Sequence, residues 1–254
     1  MDVLPAGLQR RLSPNWAYAV RLVLLIVLVS AIGIGLGVGI TNAVESPRWL
    51  SADRSFAEDL HGRTCDTWLW PTVLGLSVLG WPVVFYVTIG GLIVLLLVRR
   101  QYALVAFFVI TGLSGGIVDT AVKETIDRAR PMLGGCNVGL SGKSFPSGHL
   151  MVATICYGML LVALLPLARS TWRRRALIGF VVFALCASAF ARSAVGAHYA
   201  SDIVGGLLLG LLWLAVATWA YVRWRSDSGR VPSSVRSGVA PEALDRLRRR
   251  PARG

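Results

Sequence analysis

Residues 102–131 read YALVAFFVITGLSGGIVDTAVKETIDRARP, and their polarity changes sharply at Lys123. Residues 102–122 are nearly all apolar or small, and a run of this length can cross the hydrocarbon core of a bilayer as an α-helix. Lys123 and Arg130 follow it closely. Cationic side chains are costly inside a membrane. A basic cluster at the end of an apolar run therefore indicates a functional site near the membrane surface.

The composition of the whole chain indicates a membrane protein. The 254 residues are 55% hydrophobic and only 15% charged, and the mean hydropathy is +0.63, which is too apolar for an ordinary soluble domain. The net charge of +13 would suit a nucleic-acid-binding protein. However, the basic residues cluster at the ends of apolar runs and in the C-terminal tail, as in cytoplasmic loops of membrane proteins. We therefore predict that the chain contacts the lipid bilayer and no nucleic acid.

Six apolar runs predict an all-α fold, a polytopic membrane protein with six transmembrane helices. The first run is longer than the ~7–15-residue core of a signal peptide, and no A-x-A cleavage site follows it, so we expect it to be retained. Pro71 or Pro82 is expected to start or kink the second helix. The predicted spans are 16–40, 71–98, 102–122, 150–168, 176–191 and 199–222.

The distribution of arginine predicts the orientation in the membrane. Six spans place both termini on one side, and the arginine clusters fall on that side, which the positive-inside rule assigns to the cytoplasm. The clusters are Arg10-Arg11, Arg99-Arg100, Arg173-Arg174-Arg175 and Arg223/Arg225. The loops 42–70, 123–148 and 192–198 then share the outer face of the cytoplasmic membrane.

The chain divides into three parts on this pattern. We predict a cytoplasmic N-terminus (1–15), a six-helix membrane domain (16–222) with an outer loop (42–70), and a basic cytoplasmic tail (223–254) that is expected to be disordered. The outer loop is rich in Trp and polar residues, which is typical of the membrane interface and of a short amphipathic helix. His61 lies in this loop, where we expect a solvated side chain.

Two glycine-containing patterns resemble nucleotide-binding motifs without their context. Gly33, Gly35, Gly37 and Gly39 lie inside the first span, where no strand precedes them, so we expect them to allow close helix packing. Gly142-Lys143-Ser144 resembles the end of a Walker A motif, but Asn137 stands where that motif requires glycine. Neither pattern predicts a nucleotide site.

The basic and histidine residues have the chemistry of a phosphate site. Lys123 and Arg130 are seven positions apart and would share a helical face if the third helix continued past the membrane. Ser147-Gly148 precedes His149 at the start of the fourth span, and backbone N–H groups at a helix N-terminus bind anions. The planar guanidinium of Arg192 suits phosphate oxygens.

A second block supplies a candidate nucleophile. His198 and Asp202 are four positions apart and can touch on the first turn of the sixth helix. The Asp202 carboxylate would hold the Nδ1 proton of His198 and leave Nε2 free to attack phosphorus. A second histidine could protonate the leaving oxygen while cations stabilise the transferring phosphoryl group. Water would then hydrolyse the phosphohistidine.

Three sequence blocks together resemble the three-part signature of the type 2 phosphatidic acid phosphatase (PAP2) superfamily. In chain order they are Lys123-x6-Arg130-Pro131, Pro146-Ser147-Gly148-His149 and Arg192-x5-His198-x3-Asp202. The superfamily includes bacterial membrane lipid phosphatases, glucose-6-phosphatase and vanadium haloperoxidases. The resemblance covers residues 70–222 with the six-helix layout. The sequence departs from the pattern at Ala191, where the family usually has serine.

The resemblance implies a role for each residue of the three blocks. His198 would be the nucleophile, Asp202 its orienting partner and His149 the general acid. Lys123, Arg130, Ser147, Gly148 and Arg192 would bind phosphate. It implies a PAP2-type bundle and a reaction without metal or other cofactor.

The substrate and the activity have several candidates at this point. We favour a lipid phosphatase that acts on polyprenyl (undecaprenyl) diphosphate at the outer face, because recycling that carrier is an outer-face task. Phosphatidylglycerophosphate and phosphatidate are alternative substrates. A non-catalytic lipid-binding or transport protein and a vanadate-dependent peroxidase are alternatives of other classes. The sequence leaves the oligomeric state open.

None of the four cysteines belongs to a CxxC motif, so the sequence does not support a zinc or redox site. Cys156 and Cys186 lie in apolar runs. Cys65 and Cys136 lie in two loops that the predicted topology places on the same outer side. Whether they form a disulfide depends on the distance between their Cα atoms, which the sequence alone does not give.

Overall fold

The computed structural model of the protein describes residues 14–44, 47–131, 133–136 and 142–227. These residues form helices and loops, with no strand among them. The helices, in chain order, are α1 (Pro14–Val44), α2 (Pro47–Thr64), α3 (Trp70–Ser77), α4 (Pro82–Val98), α5 (Tyr102–Ile126), α6 (Gly148–Leu164), α7 (Thr171–Ala194) and α8 (Ala200–Asp227).

Within the described ranges, six helical segments are long and apolar enough to cross a membrane, which confirms the predicted all-α fold with six spans. Large apolar side chains such as Val87, Leu113 and Phe183 point outward and are exposed, as expected for side chains that face lipid. The bundle centre is filled by aromatic and aliphatic residues, including Trp213 and Phe107. The spans are Asn15–Asn42, Trp70–Val98, Tyr102–Ile126, Gly148–Leu167, Thr171–Ala194 and Ala200–Asp227.

The second span is interrupted, and the interruption lies beside the site described below. Helix α3 ends at Ser77, a short 3₁₀ turn covers Val78–Gly80, and α4 starts at Pro82. Proline is favoured in the first turn of a helix because its missing N–H would have no helical partner there. Of the two prolines expected to start or kink this span, Pro71 lies in the first turn of α3 and Pro82 begins α4.

Two helices extend further than predicted at the end of the bundle opposite the site described below. Helix α7 begins at Thr171 instead of 176, so Arg173, Arg174 and Arg175 belong to its first turns, and Ser170 caps it by accepting a hydrogen bond from the Arg173 N–H. Helix α8 continues to Asp227 instead of 222. The Asp227 carboxylate lies 2.6 Å from the buried Arg21 guanidinium of α1, and this pair joins the first and last helices.

The first and last helices reach beyond the limits of the predicted membrane domain, 16–222, by a few residues. Residues 14–15 belong to α1 and 223–227 belong to α8. The rest of the predicted N-terminus and tail, 1–13 and 228–254, lies outside the described residues.

The predicted outer loop contains an 18-residue helix, α2, and the prediction of a solvated His61 is wrong. The His61 ring is buried, with Nδ1 2.8 Å from the Ala194 carbonyl oxygen and Nε2 2.9 Å from that of Gly134. It therefore links α2 to α7 and to the loop after α5. A disulfide between Cys65 and Cys136, with Cα atoms 5.6 Å apart, also joins the end of α2 to the loop after α5.

Two of the four glycines in α1 lie where neighbouring helices approach closely. A Cβ atom on Gly33 would lie 2.7 Å from the Val122 side chain, and one on Gly37 would lie 2.6 Å from Ile126. Gly35 and Gly39 have nothing within 4 Å of such an atom. Glycines four positions apart thus let α1 pack on its neighbours, as the sequence predicted.

We expect Gly37→Val to destabilise the protein by about 1–3 kcal/mol, because the new side chain overlaps Ile126 and Phe145 in a packed interface. The measurement is the thermal unfolding temperature in detergent. Gly35→Val adds the same side chain to the same helix in open space and is the control. Equal unfolding temperatures for the two variants would contradict this packing.

Candidate active site

The eight predicted site residues converge at one end of the bundle, because α5 and α7 end there and α6 and α8 begin there. A cavity of about 240 Å³ lies there. One side of it is lined by five titratable side chains and the backbone of a glycine: Asp119, Lys123, Arg130, His149, His198 and Gly148. The wall toward α4 is less polar and is formed by Gly80, Phe85, Tyr86 and Val152. The cavity therefore has a cationic side and an apolar side.

Lys123 and Arg130 both line the cavity, but not by sharing a helical face as predicted. Helix α5 ends at Ile126 because Asp127 adopts a left-handed conformation with φ 49°. The chain turns there and carries Arg130 back over the cavity as a loop residue. Its Nη1 donates a hydrogen bond of 2.6 Å to the Ala197 carbonyl oxygen and lies 3.1 Å from Nε2 of His198.

The Lys123 and Asp119 side chains occupy the space that a side chain at position 148 would fill. A Cβ atom at this position would overlap the Lys123 ammonium and approach the Asp119 carboxylate. Lys123 and Asp119 form an ion pair of 2.8 Å on adjacent turns of α5. The absence of a side chain at 148 thus lets the start of α6 lie directly against this pair.

His198 is held in a single tautomer by a backbone carbonyl. Its Nδ1 lies 2.9 Å from the Ser144 carbonyl oxygen, whereas the nearest Asp202 oxygen is 3.8 Å away. Because a carbonyl oxygen can only accept, Nδ1 carries the proton and Nε2 is the ring nitrogen with the lone pair, toward which Arg130 Nη1 points from 3.1 Å. The expected direct hydrogen bond from His198 to Asp202 is therefore replaced by one to Ser144.

Asp202 instead fixes the two segments that surround the histidine ring. Its Oδ2 accepts hydrogen bonds from the Ser144 hydroxyl and from the Tyr199 N–H at 2.9 Å. Its backbone carbonyl accepts from the Ser147 N–H at 3.0 Å. Asp202 is thus an orienting residue that acts mainly through Ser144.

The surroundings of His198 favour its neutral form. Burial lowers the pKa of His198, and the positive charges of Arg130 and Lys123 act in the same direction, while Asp202 opposes them. The net direction is downward from the ordinary histidine range. A neutral ring with a free Nε2 lone pair is the form that can act as a nucleophile.

Arg192 and Ser147 adjoin the cavity but are not among its lining residues. Both are buried, and the positive charge of Arg192 acts on His149 and on Arg130. The Arg192 carbonyl accepts from the Ala197 N–H at 3.0 Å, which shapes the loop before His198. The Ser147 hydroxyl makes no hydrogen bond within the part of the chain that the structure describes.

Comparison with known proteins identifies the family. The model of the PAP2 superfamily matches residues 102–226, which include all three sequence blocks. The chain belongs to the PAP2 superfamily. Comparison with curated proteins finds no match.

A solved structure shares the fold of this PAP2 protein. It is a transmembrane PAP2-type phosphatidylglycerolphosphate phosphatase from Bacillus subtilis, with a TM-score of 0.61 and 22% sequence identity. The alignment covers 79% of the present chain and 94% of the other. The PAP2 chain is thus a multi-pass membrane protein with the fold of a membrane phosphatase.

A buried cluster that the sequence does not predict lies next to the PAP2 residues. Arg128 bonds to Asp202 at 2.6 Å and to Asp53 of α2 at 2.9 Å, and both Arg128 and Asp53 are 8% exposed. Arg128 lies inside the first block, yet the family pattern leaves its position unspecified. Asp53 lies in α2, which the resemblance does not cover. Only the fold brings the two together.

We predict that at pH 7 the His198 ring is neutral and carries its proton on Nδ1, because a carbonyl oxygen faces Nδ1 and burial disfavours the charged form. Nitrogen-15 NMR of histidine-labelled protein in detergent tests this, since the chain contains only three histidines. Loss of the signal in His198→Ala assigns it. A doubly protonated ring, or a proton on Nε2, would contradict the geometry.

Proposed function

We propose that the protein is a membrane phosphatase that removes a phosphate or diphosphate group from a lipid through a phosphohistidine at His198. The observation that supports this most is the tautomer of His198, whose Nε2 lone pair faces a cavity lined by cations and by His149. The family membership and the fold agree with it. They do not by themselves assign a substrate.

The reaction would proceed in two steps at this site. In the first, Nε2 of His198 attacks the terminal phosphorus while the bond from that phosphorus to its leaving oxygen breaks, and protonated His149 donates its proton to that oxygen. The leaving group is the lipid alcohol when the substrate is a monophosphate and the lipid monophosphate when it is a diphosphate. In the second, His149 takes a proton from water, which attacks the phosphohistidine and releases inorganic phosphate. Arg130 Nη1 lies 3.1 Å from Nε2 of His198. When Arg130 binds the incoming phosphate instead, the Nε2 lone pair would become available for the attack.

The phosphate group would be held by cations and by the start of α6. Lys123 and Arg130 line the cavity, and Arg192 adds positive charge from α7. The Ser147 hydroxyl and the Gly148 backbone lie at the N-terminus of α6, which favours anions. These groups can stabilise the charge of the transferring phosphoryl group, so we propose a reaction without a metal ion.

The apolar side of the cavity supports a lipid substrate. Phe85, Tyr86 and Val152 form a wall beside the interrupted second span, where a lipid chain could lie while its head group meets the cations. We retain polyprenyl diphosphate as the favoured substrate. Phosphatidylglycerophosphate is the alternative that the shared fold supports, since it is the substrate named for the Bacillus subtilis protein.

We also propose that the site lies at the outer face of the membrane, with both termini in the cytoplasm. The support is the arginine pattern, because Arg99, Arg100 and Arg173–Arg175 lie at the opposite end of the bundle from the site. In this arrangement residues 16–222 contain the catalytic unit. The ends of the chain are cytoplasmic extensions.

We expect the purified protein to release phosphate from one or more lipids in the presence of EDTA, because the proposed chemistry uses only side chains. The panel holds polyprenyl diphosphate, phosphatidylglycerophosphate and phosphatidate in detergent micelles. His198→Ala should reduce the rate by at least about 10³-fold, as expected for loss of a nucleophile. Colorimetric phosphate release measures both.

Cys186→Ser changes an exposed residue of α7 away from the cavity and should leave the rate unchanged. Dependence on a divalent ion would contradict the metal-free reaction. Lipid binding without turnover on the whole panel would favour the alternative of a non-catalytic lipid-binding or transport protein.

A further inference from the structure

A buried chain of three charged side chains runs from the outer helix α2 to the residue that orients the nucleophile. It consists of Asp53 of α2, Arg128 of the loop after α5 and Asp202 of α8 (the Asp53–Arg128–Asp202 chain). Asp53 and Arg128 are 8% exposed and Asp202 is fully buried. Of the three, only Asp202 is a residue that the family blocks specify: Arg128 occupies an unspecified position of the first block, and Asp53 lies outside the blocks.

The hydrogen bonds in this chain are short and reach several elements. Nη1 of Arg128 donates to Asp202 Oδ1 at 2.6 Å and to the Ser201 hydroxyl oxygen at 2.7 Å, and Nη2 donates to Asp53 Oδ2 at 2.9 Å. Asp53 in turn accepts hydrogen bonds from the N–H of Ser201, at 3.1 Å, and from its hydroxyl. The guanidinium also lies 4.5 Å from the Tyr199 ring centre. The segment that follows His198 is therefore held by Arg128 and Asp53.

The same loop holds the acceptor of the His198 proton. The backbone carbonyl of Arg128 accepts a hydrogen bond of 2.7 Å from the Ser144 N–H. The Ser144 carbonyl then accepts from Nδ1 of His198, and the Ser144 hydroxyl donates to Asp202. Arg128 thus bonds to both groups that determine the orientation and the proton of the histidine ring.

From these contacts we propose that Arg128 and Asp53 are positioning residues for the nucleophile: Arg128 offsets part of the Asp202 charge beside His198, and Asp53 fixes Arg128. The inference rests on the proposed role of His198 and adds residues that the family pattern does not specify. It also gives α2 a function. Through Asp53, the outer helix completes the surroundings of the active site.

The charges around His198 give this proposal a definite sign. Among the described residues, the groups that act on the ring are Lys123 of α5, Arg130 of the following loop and Asp202 of α8. His149 of α6 interacts with His198 and with Arg192 of α7, and Asp119 of α5 lines the same cavity in an ion pair with Lys123. Loss of the positive charge of Arg128 leaves more of the Asp202 charge to favour a protonated ring. Loss of the negative charge of Asp53 has the opposite effect.

The test is the acidic limb of kcat/KM against pH, which reports protonation of the free nucleophile. We expect Arg128→Gln to move its midpoint to higher pH and Asp53→Asn to move it to lower pH, each on the order of one pH unit or less. Arg128→Lys keeps the charge and should leave the midpoint near that of the wild type. An NMR titration of His198 should show the same directions without requiring turnover.

The outcomes separate this inference from the proposed function. Inactive wild-type protein overturns the proposed function, while the NMR titration still tests the charge effect. Midpoints that stay fixed, or that move in the same direction for Arg128→Gln and Asp53→Asn, would reduce both residues to a structural role and overturn the inference. If Arg128→Gln does not fold, Asp53→Asn and the double variant, which removes one charge of each sign, provide the same test.

Discussion

The hydrogen bond from Nδ1 of His198 to the Ser144 carbonyl oxygen, 2.9 Å long, is the contact on which the rest of the site depends. It places the ring proton on Nδ1 and directs the Nε2 lone pair at the cavity. Ser144 is held in place for this contact, because its N–H donates to the Arg128 carbonyl and its hydroxyl donates to Asp202. One serine thus connects the loop after α5 with the start of α8, and the histidine is oriented by that connection.

The membrane explains why the candidate site residues lie at one end of the bundle. Within lipid only regular helices satisfy their backbone groups, so irregular segments that can surround a phosphate group are confined to helix ends. The charges that remain near the hydrocarbon region are mostly paired, as in Lys123–Asp119 and Arg128–Asp202. Unpaired charges would be strongly destabilising there. The same pairs leave Lys123 beside Gly148, where it can meet a phosphate group.

The sequence could predict what depends on local pattern. Hydropathy and length are sufficient to predict the six spans, and the spacing of the three blocks is sufficient to predict the family. The partner of His198 Nδ1 could not be predicted, because it is a backbone carbonyl and carries no residue-type information. His61 was predicted wrongly for the same reason, since its partners are the carbonyls of Ala194 and Gly134. Asp53 required the fold, which brings α2 to Arg128 across 75 positions of sequence.

The covalent phosphohistidine proposed on His198 can be trapped and located in the sequence. Protein mixed with lipid labelled with ³²P in its terminal phosphate is quenched with base within milliseconds, because phosphohistidine survives base and is lost in acid. We predict transient label on the peptide that contains His198 in the wild-type protein, and no label on that peptide in His198→Ala. Label on His149 instead, or turnover of wild-type protein with no labelled peptide at any time, would contradict the account.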